Sequence, residues 1–283
     1  MIERATFGPA GNSASFTAAG NKHSYQAPGW LENFGLDAYE YAGGNGIVGS
    51  TETFRLIGEE AKKHNILLSL HAPYFISLSG IEIEKRLKSL DYIEKSLNAA
   101  EAMGAYLIVI HTGSASKITR EEAVNLAKDT MYKALEKFPD TAVRFGLETM
   151  GKKNQLGTLD EVLDICAMDE RLYPVVDFGH INAREGGVFH GEDDYKAIFD
   201  KIDTRLGGDY AKYLHCHFSK IEYGASGEKC HLTFEDTQFG PDFEPLMKVI
   251  ADNGLCPRII CESAGTMAED ALAMKKEYLK NLK

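Results

Sequence analysis

Eight short apolar runs recur along the chain, each ending in a polar cluster and most followed by a longer segment of helical periodicity. They cover residues 4–9, 37–41, 66–70, 106–110, 143–147, 173–176, 213–217 and 258–261. Each is four to six residues long and rich in Val, Ile, Leu and Tyr. Such runs suit strands buried on both faces. Between them, the spacing of apolar residues predicts helices over 51–63, 81–103, 120–138, 159–168, 195–202, 243–251 and 268–282. Thr119 stands three residues before Glu122, and Thr158 three before Glu161. Both pairs read as capping boxes that start helices. The interval 21–35 has the weakest pattern and is expected to be mostly loop. No linker or shift in composition divides the chain. Eight strands alternating with helices over this length predict an α/β fold, a (β/α)8 TIM barrel with residues 1–283 forming a single domain. The rival doubly wound sheet advertises a GxGxxG turn after its first strand, and GPAGNS lacks that spacing.

Composition narrows the function classes. The 283 residues carry 31 basic and 42 acidic side chains, a net charge of −11, so a basic nucleic-acid-binding surface is not the default expectation. Bound divalent cations would offset part of that charge locally. The longest apolar run, 102–110, is interrupted by Gly104 and is too short to span a bilayer, so no membrane partner is expected. The start, MIERATFGPAG, has no apolar signal core, which points to a cytoplasmic protein. Five cysteines without CxxC spacing favour reduced thiols over disulfides or a zinc knuckle.

In a (β/α)8 barrel the working residues lie at the C-terminal ends of the strands. The third run ends in His71 and the fourth in His111. The fifth ends in Glu148, and the sixth in Asp177 with His180 three residues on. The seventh carries His215 and His217, the eighth ends in Glu262, and His231 follows in the loop after the seventh. Because side chains alternate along a strand, Ser69, Val109, Gly146, Val175, His215 and Ile260 should line the interior below these ends. Cys216 and Cys261 should face the helices. A mouth built from imidazoles and carboxylates without thiolates suits an open catalytic Zn²⁺, Mn²⁺ or Fe²⁺ site. Burying three acids and several histidines together without a cation would be costly. Glu40 is either a polar contact at the mouth or a solvated residue. Lys152, Lys153, Arg184 and Lys220 follow strand ends and either meet phosphate oxygens or are solvated surface charge.

The segments HAPYFISL, HTGS, GLETMG, VVDFGHINAR, HFSK and CES, in that order on successive strands, resemble the endonuclease IV family of AP endonucleases. Histidine and glutamate at strand ends alone would also fit the sugar isomerases of the xylose isomerase-like barrel superfamily. The resemblance implies a zinc-dependent phosphodiesterase that cleaves abasic duplex DNA 5′ to the lesion, using two or three Zn²⁺ per chain, and a monomer is expected. It assigns His71 and His111 to one zinc, bridged by Glu148 to a second that Asp177, His217 and Glu262 complete. His180 and His231 would hold the third. Glu148 is the residue expected to matter most for catalysis, and Tyr74, Arg184 and Lys220 are the expected substrate contacts. The family's third zinc also takes an Asp two residues before the loop histidine. Lys229 stands there, leaving Glu228, Glu235 or Asp236 as substitutes or the site weak. The loop after the second run, AGGNGIVGS, lacks the arginine-bearing segment with which familiar members probe DNA. Two other readings remain. One is a sugar isomerase or epimerase using Mn²⁺, Co²⁺ or Mg²⁺. The other is a barrel that binds DNA or a partner without catalysis.

Overall fold

The alternation of runs and helical segments is realised strand by strand. A computed structural model describes residues 3–282, so Met1, Ile2 and Lys283 lie outside the described residues. The strands are β1 (Thr6–Pro9), β2 (Ala38–Ala42), β3 (Leu67–His71), β4 (Leu107–His111), β5 (Arg144–Glu148), β6 (Leu172–Asp177), β7 (His215–Phe218), β8 (Ile221–Gly224), β9 (Gly227–His231) and β10 (Arg258–Cys261). Eight of them form one parallel sheet in the order β1-β10-β7-β6-β5-β4-β3-β2. The seam between β1 and β2 is closed by Asp37 N–H donating to Phe7 O at 2.9 Å and Gly11 N–H to Glu40 O at 2.8 Å. Gly8 makes this closure possible, because a Cβ there would lie 1.9 Å from Ala38 O. The structure is thus a single (β/α)8 barrel.

Side chains of one parity pack outward against the helices. Phe7, Leu70, Ile108, Ile110, Phe145, Leu147, Val176, Cys216 and Cys261 belong to this outer core, as alternation required. The other parity fills the barrel. Leu107, Val109, Tyr173 and Val175 make a separate apolar layer low in the interior. Arg258 covers the Tyr106 ring at 4.1 Å and Arg144 the Tyr173 ring at 4.8 Å, closing the floor with cation–π contacts. The capping boxes at Thr119 and Thr158 form as expected, each hydroxyl accepting from the N–H three residues on.

The structure corrects the expected loop at 21–35. It contains a 3-10 turn, Ser24–Gln26, and a helix, Ala27–Phe34. Pro28 in the first turn and Gly35 at φ 87° beyond the last supply the start and stop. The pattern was weak because the helix has only eight residues, too few for the apolar face of Ala27, Trp30, Leu31 and Phe34 to repeat. A helix at Phe178–Glu185 and the antiparallel β8–β9 hairpin were also not anticipated. Among the described residues, no helix is long and apolar enough to cross a membrane.

Candidate metal centre

The strand ends meet at the barrel mouth in three adjoining groups. In the first, His71 Nε2 and His111 Nε2 lie 3.4 and 3.2 Å from Glu148 Oε2. The barrel register places His111 directly beside Glu148 across β4 and β5. In the second, the other Glu148 oxygen, Oε1, faces His217 Nδ1 at 3.0 Å, and Glu262 Oε1 lies 3.4 Å from the same nitrogen. Asp177 completes this group from β6, paired in register with His217. Glu148 therefore offers one oxygen to each group, and its side chain is fully buried.

Asp177 also caps the helix Phe178–Glu185. Its Oδ1 accepts from His180 N–H at 2.7 Å. The spacing of Asp177 and His180 thus follows from helix geometry: an N-cap acid and the N3 residue of the first turn point to the same side. The rings are pinned from behind. His71 Nδ1 sits 2.8 Å from Ala72 O, His180 Nδ1 2.9 Å from Thr149 O, and His231 Nδ1 2.8 Å from Ser219 Oγ. A backbone carbonyl only accepts, so in the neutral rings of His71 and His180 the proton sits on Nδ1 and the Nε2 lone pair faces the mouth. This is the outer arrangement that metal-binding histidines use.

The third group is His180, Glu228 and His231. His180 Nε2 lies 3.6 Å from Glu228 Oε2. Residues three apart on a strand normally face opposite ways. Here the hairpin pairs Tyr223 with Glu228 but Glu222 with Cys230, so Lys229 is an extra residue bulged out of the ladder. The bulge returns Glu228 and His231 to one face and sends Lys229 outward, where its Nζ binds Glu222 at 2.8 Å. Gly151 leaves the room this needs, since a Cβ there would lie 2.6 Å from Glu228 Oε2. Glu228 thus places a carboxylate beside His180 and His231, where position 229 offers none. Glu228→Gln is expected to lower the metal content by about one ion per chain, whereas Lys229→Asp leaves it unchanged. Elemental analysis of the two variants decides, and a rise in Lys229→Asp would mean the third group is incomplete.

The electrostatics fit cations. Glu148 Oε2 and Asp177 Oδ2 are buried carboxylate oxygens without a hydrogen-bond partner. Native proteins rarely leave such atoms unsatisfied unless an ion or water takes them. Burial alone would raise the Glu148 carboxyl, but His217, His111 and His71 hold it well below the usual range. Burial pushes Glu262 up, an effect His217 opposes and Glu148 adds to. Burial would lower His180, yet Asp177, Glu148 and Glu228 carry it up to about 9. Without a metal, protons occupy part of the place cations would fill. Because the His180 value is raised, its proton is bound below about pH 9 and lost above it. Metal must displace that proton, so apparent affinity rises as pH climbs toward 9. Calorimetric titration with zinc in two buffers near pH 7 should count about one or more protons released per chain. Release of none would contradict this charge arrangement.

The structure gives the other expected contacts mixed roles. Tyr74 is exposed at the rim, its ring stacked on His111 at 4.9 Å. Arg184 is not at the mouth. Its guanidinium is buried and donates to the carbonyls of Met150, Lys152, Lys153 and Gln155, tying down the loop after β5. Lys220 is likewise buried, its Nζ donating to Asp236 O at 2.6 Å. In this structure both anchor loops: Arg184 through four backbone carbonyls, and Lys220 through Asp236 O and an ion pair with Asp242 at 3.3 Å. Lys152 does line the mouth cavity of about 410 Å³, beside Tyr74, His180 and Glu228. Glu40 is neither solvated nor at the rim. It is fully buried beneath His217.

Residues 29–282 match a family described as xylose isomerase-like TIM barrel. The chain belongs to that family. A protein of Methanocaldococcus jannaschii, itself uncharacterized, is 33% identical over 216 residues, covering 76% of this chain and 77% of its own length. An Acholeplasma laidlawii protein named probable endonuclease 4 is 32% identical over 187 residues, 64% of this chain and 61% of its own length. Several curated relatives of that name are thus matched over less than two thirds of their length. Among solved structures, endonuclease IV from Thermus thermophilus superposes with a TM-score of 0.65 at 20% identity, covering 91% of this chain and 93% of its own. A D-tagatose 3-epimerase-like protein gives 0.67 at 19%, covering 87% and 89%. At such identities these two establish the barrel and no more.

Proposed function

We propose that the chain is a zinc-dependent endonuclease that hydrolyses DNA on the 5′ side of abasic sites. One observation carries the reading: three ligand groups adjoin at one mouth, two sharing Glu148 and the third completed by Glu228. Five imidazoles and four carboxylates are more than a single-metal sugar isomerase needs.

His71, His111 and Glu148 would hold one ion, Glu148, Asp177, His217 and Glu262 a second, and His180, Glu228 and His231 a third. Bound ions of this kind supply Lewis-acid stabilisation of a phosphodiester oxygen and make water a competent nucleophile near neutral pH. The chain's own contribution is position and charge. Glu148 spans two groups and sets their separation. The carbonyls of Ala72 and Thr149 keep His71 and His180 in the ligating tautomer. Four carboxylates would offset the charge of the ions, while Lys152 and the Tyr74 ring at the rim face the approach of a phosphate backbone and a base.

The test joins two measurements on the protein purified without added metal. Two or three zinc ions per chain, with nicking of abasic but not intact duplex, are expected. One manganese or magnesium ion, no nicking, and turnover of a ketose would replace this reading with the epimerase one.

A further inference from the structure

Below the candidate metal centre, the barrel interior holds a polar chain that the ligand set does not use. Tyr106 Oη lies 2.7 Å from His215 Nδ1. His215 Nε2 lies 2.9 Å from Glu40 Oε2, which also accepts from Ser69 Oγ at 2.8 Å. Glu40 Oε1 faces His217 Nε2 at 2.9 Å, a close charge contact rather than an aligned hydrogen bond. Glu40, Ser69, His215 and His217 are all fully buried.

The donors and acceptors can be assigned. A carboxylate only accepts, so the His215 nitrogen facing Glu40 carries a proton. In neutral His215 the opposite nitrogen is then an acceptor, and the Tyr106 hydroxyl donates to it. The same logic puts a proton on His217 Nε2 and another on Nδ1, which is hydrogen-bonded to Glu148 Oε1 at 3.0 Å; a cation on the Nδ1 side would displace that proton and keep the one facing Glu40. His217 is thus turned the other way from His71 and His180, which present Nε2. A neutral carbonyl anchors those two rings; a carboxylate stands behind this one.

We propose that Glu40 is a positioning residue that presents Nδ1 of His217 to the second ion, and that His215 and Tyr106 hold Glu40 in that attitude from the barrel floor. The inference rests on the reading of His217 as a metal ligand. A carboxylate behind a ligating imidazole fixes its tautomer and strengthens it as a donor, and losing one costs about 10–100-fold in metal affinity or activity.

The experiment is a double-mutant cycle between Glu40→Ala and His217→Ala, with Tyr106→Phe as a milder second probe that keeps the floor packed. Zinc affinity is read by chelator competition, and the visible spectrum is read on the cobalt-substituted protein. Glu40→Ala is expected to weaken one zinc by about 10–100-fold and to shift the cobalt spectrum. In the His217→Ala background the same change should do nothing further. Glu40→Gln, which keeps one acceptor oxygen, should recover part of the loss, and Tyr106→Phe should shift the spectrum in the same direction by less. If Glu40→Ala does not fold, the Gln and Phe variants alone decide, and wild-type affinity and spectrum in both would overturn the proposal. An equal loss with and without His217 would reduce Glu40 to a packing role. A further ion in the wild type, lost with Glu40, would make it a ligand instead. Wild-type protein that binds no zinc would sink the metal reading itself, whereas zinc binding that needs His217 but ignores Glu40 would sink this inference alone.

Discussion

Glu148→Gln is expected to abolish turnover and to strip the mouth of two ions at once. The substitution preserves volume, so the fully buried site can still pack. What is lost is the charge that serves two groups through Oε1 and Oε2. Removing one member of a buried charge cluster costs about 3–5 kcal/mol because its partners stay uncompensated. That corresponds to roughly 10²–10⁴ in affinity for each adjoining ion. Activity, which needs both, should fall by at least as much. The measurement is nicking of abasic duplex at saturating zinc, with elemental analysis of the same sample. A variant with wild-type rate and metal content would show that Glu148 bridges nothing.

Chelation is the second large effect. The mouth crowds Glu148, Asp177, Glu228 and Glu262 together, two of them with orphaned oxygens, against imidazoles and Lys152 as counter-charge. An ion that binds the folded state alone, at a thousandfold above its dissociation constant, stabilises it by about 4 kcal/mol. For a chain of this size the midpoint of thermal unfolding should then drop on the order of 10 °C in a chelator. Activity should vanish with it, and zinc should restore both. Unchanged melting and full activity in the chelator would rule out a metal centre. Recovery with manganese but not zinc would favour the epimerase reading.

The barrel was legible because its strands are continuous apolar runs and its helices carry their own caps. The strand-end ligands were legible for a related reason: His71, His111 and Glu148 each interrupt an apolar run at its last residue. Glu40 was harder. It sits in Ala38–Ala42 between two tyrosines, and alternation puts it on the interior side with Ala38 and Ala42. Nothing local reveals that the histidines above and beside it come from a strand 175 residues away in sequence. The loop-anchoring contacts of Arg184 and Lys220 were not legible, because sequence shows that a cation follows a strand end, not where its donors go. The helix Phe178–Glu185 swings Arg184 back under the β5 loop, and that turn was readable only from Asp177 as a cap.

The bulge at Lys229 separates chain length from ligand geometry. One added residue in a regular strand reverses every side chain beyond it. In the β8–β9 hairpin the added residue is expelled toward Glu222, and the two ligands keep their common side. A text pattern demanding a fixed interval between carboxylate and histidine would therefore pass over this chain, while alignment by ladder pairing would find it. Insertions and deletions at this hairpin are best judged by which rung they occupy. A change of one residue that is absorbed as a bulge is silent for the mouth, and one that shifts the rung of Ile221 and His231 is not.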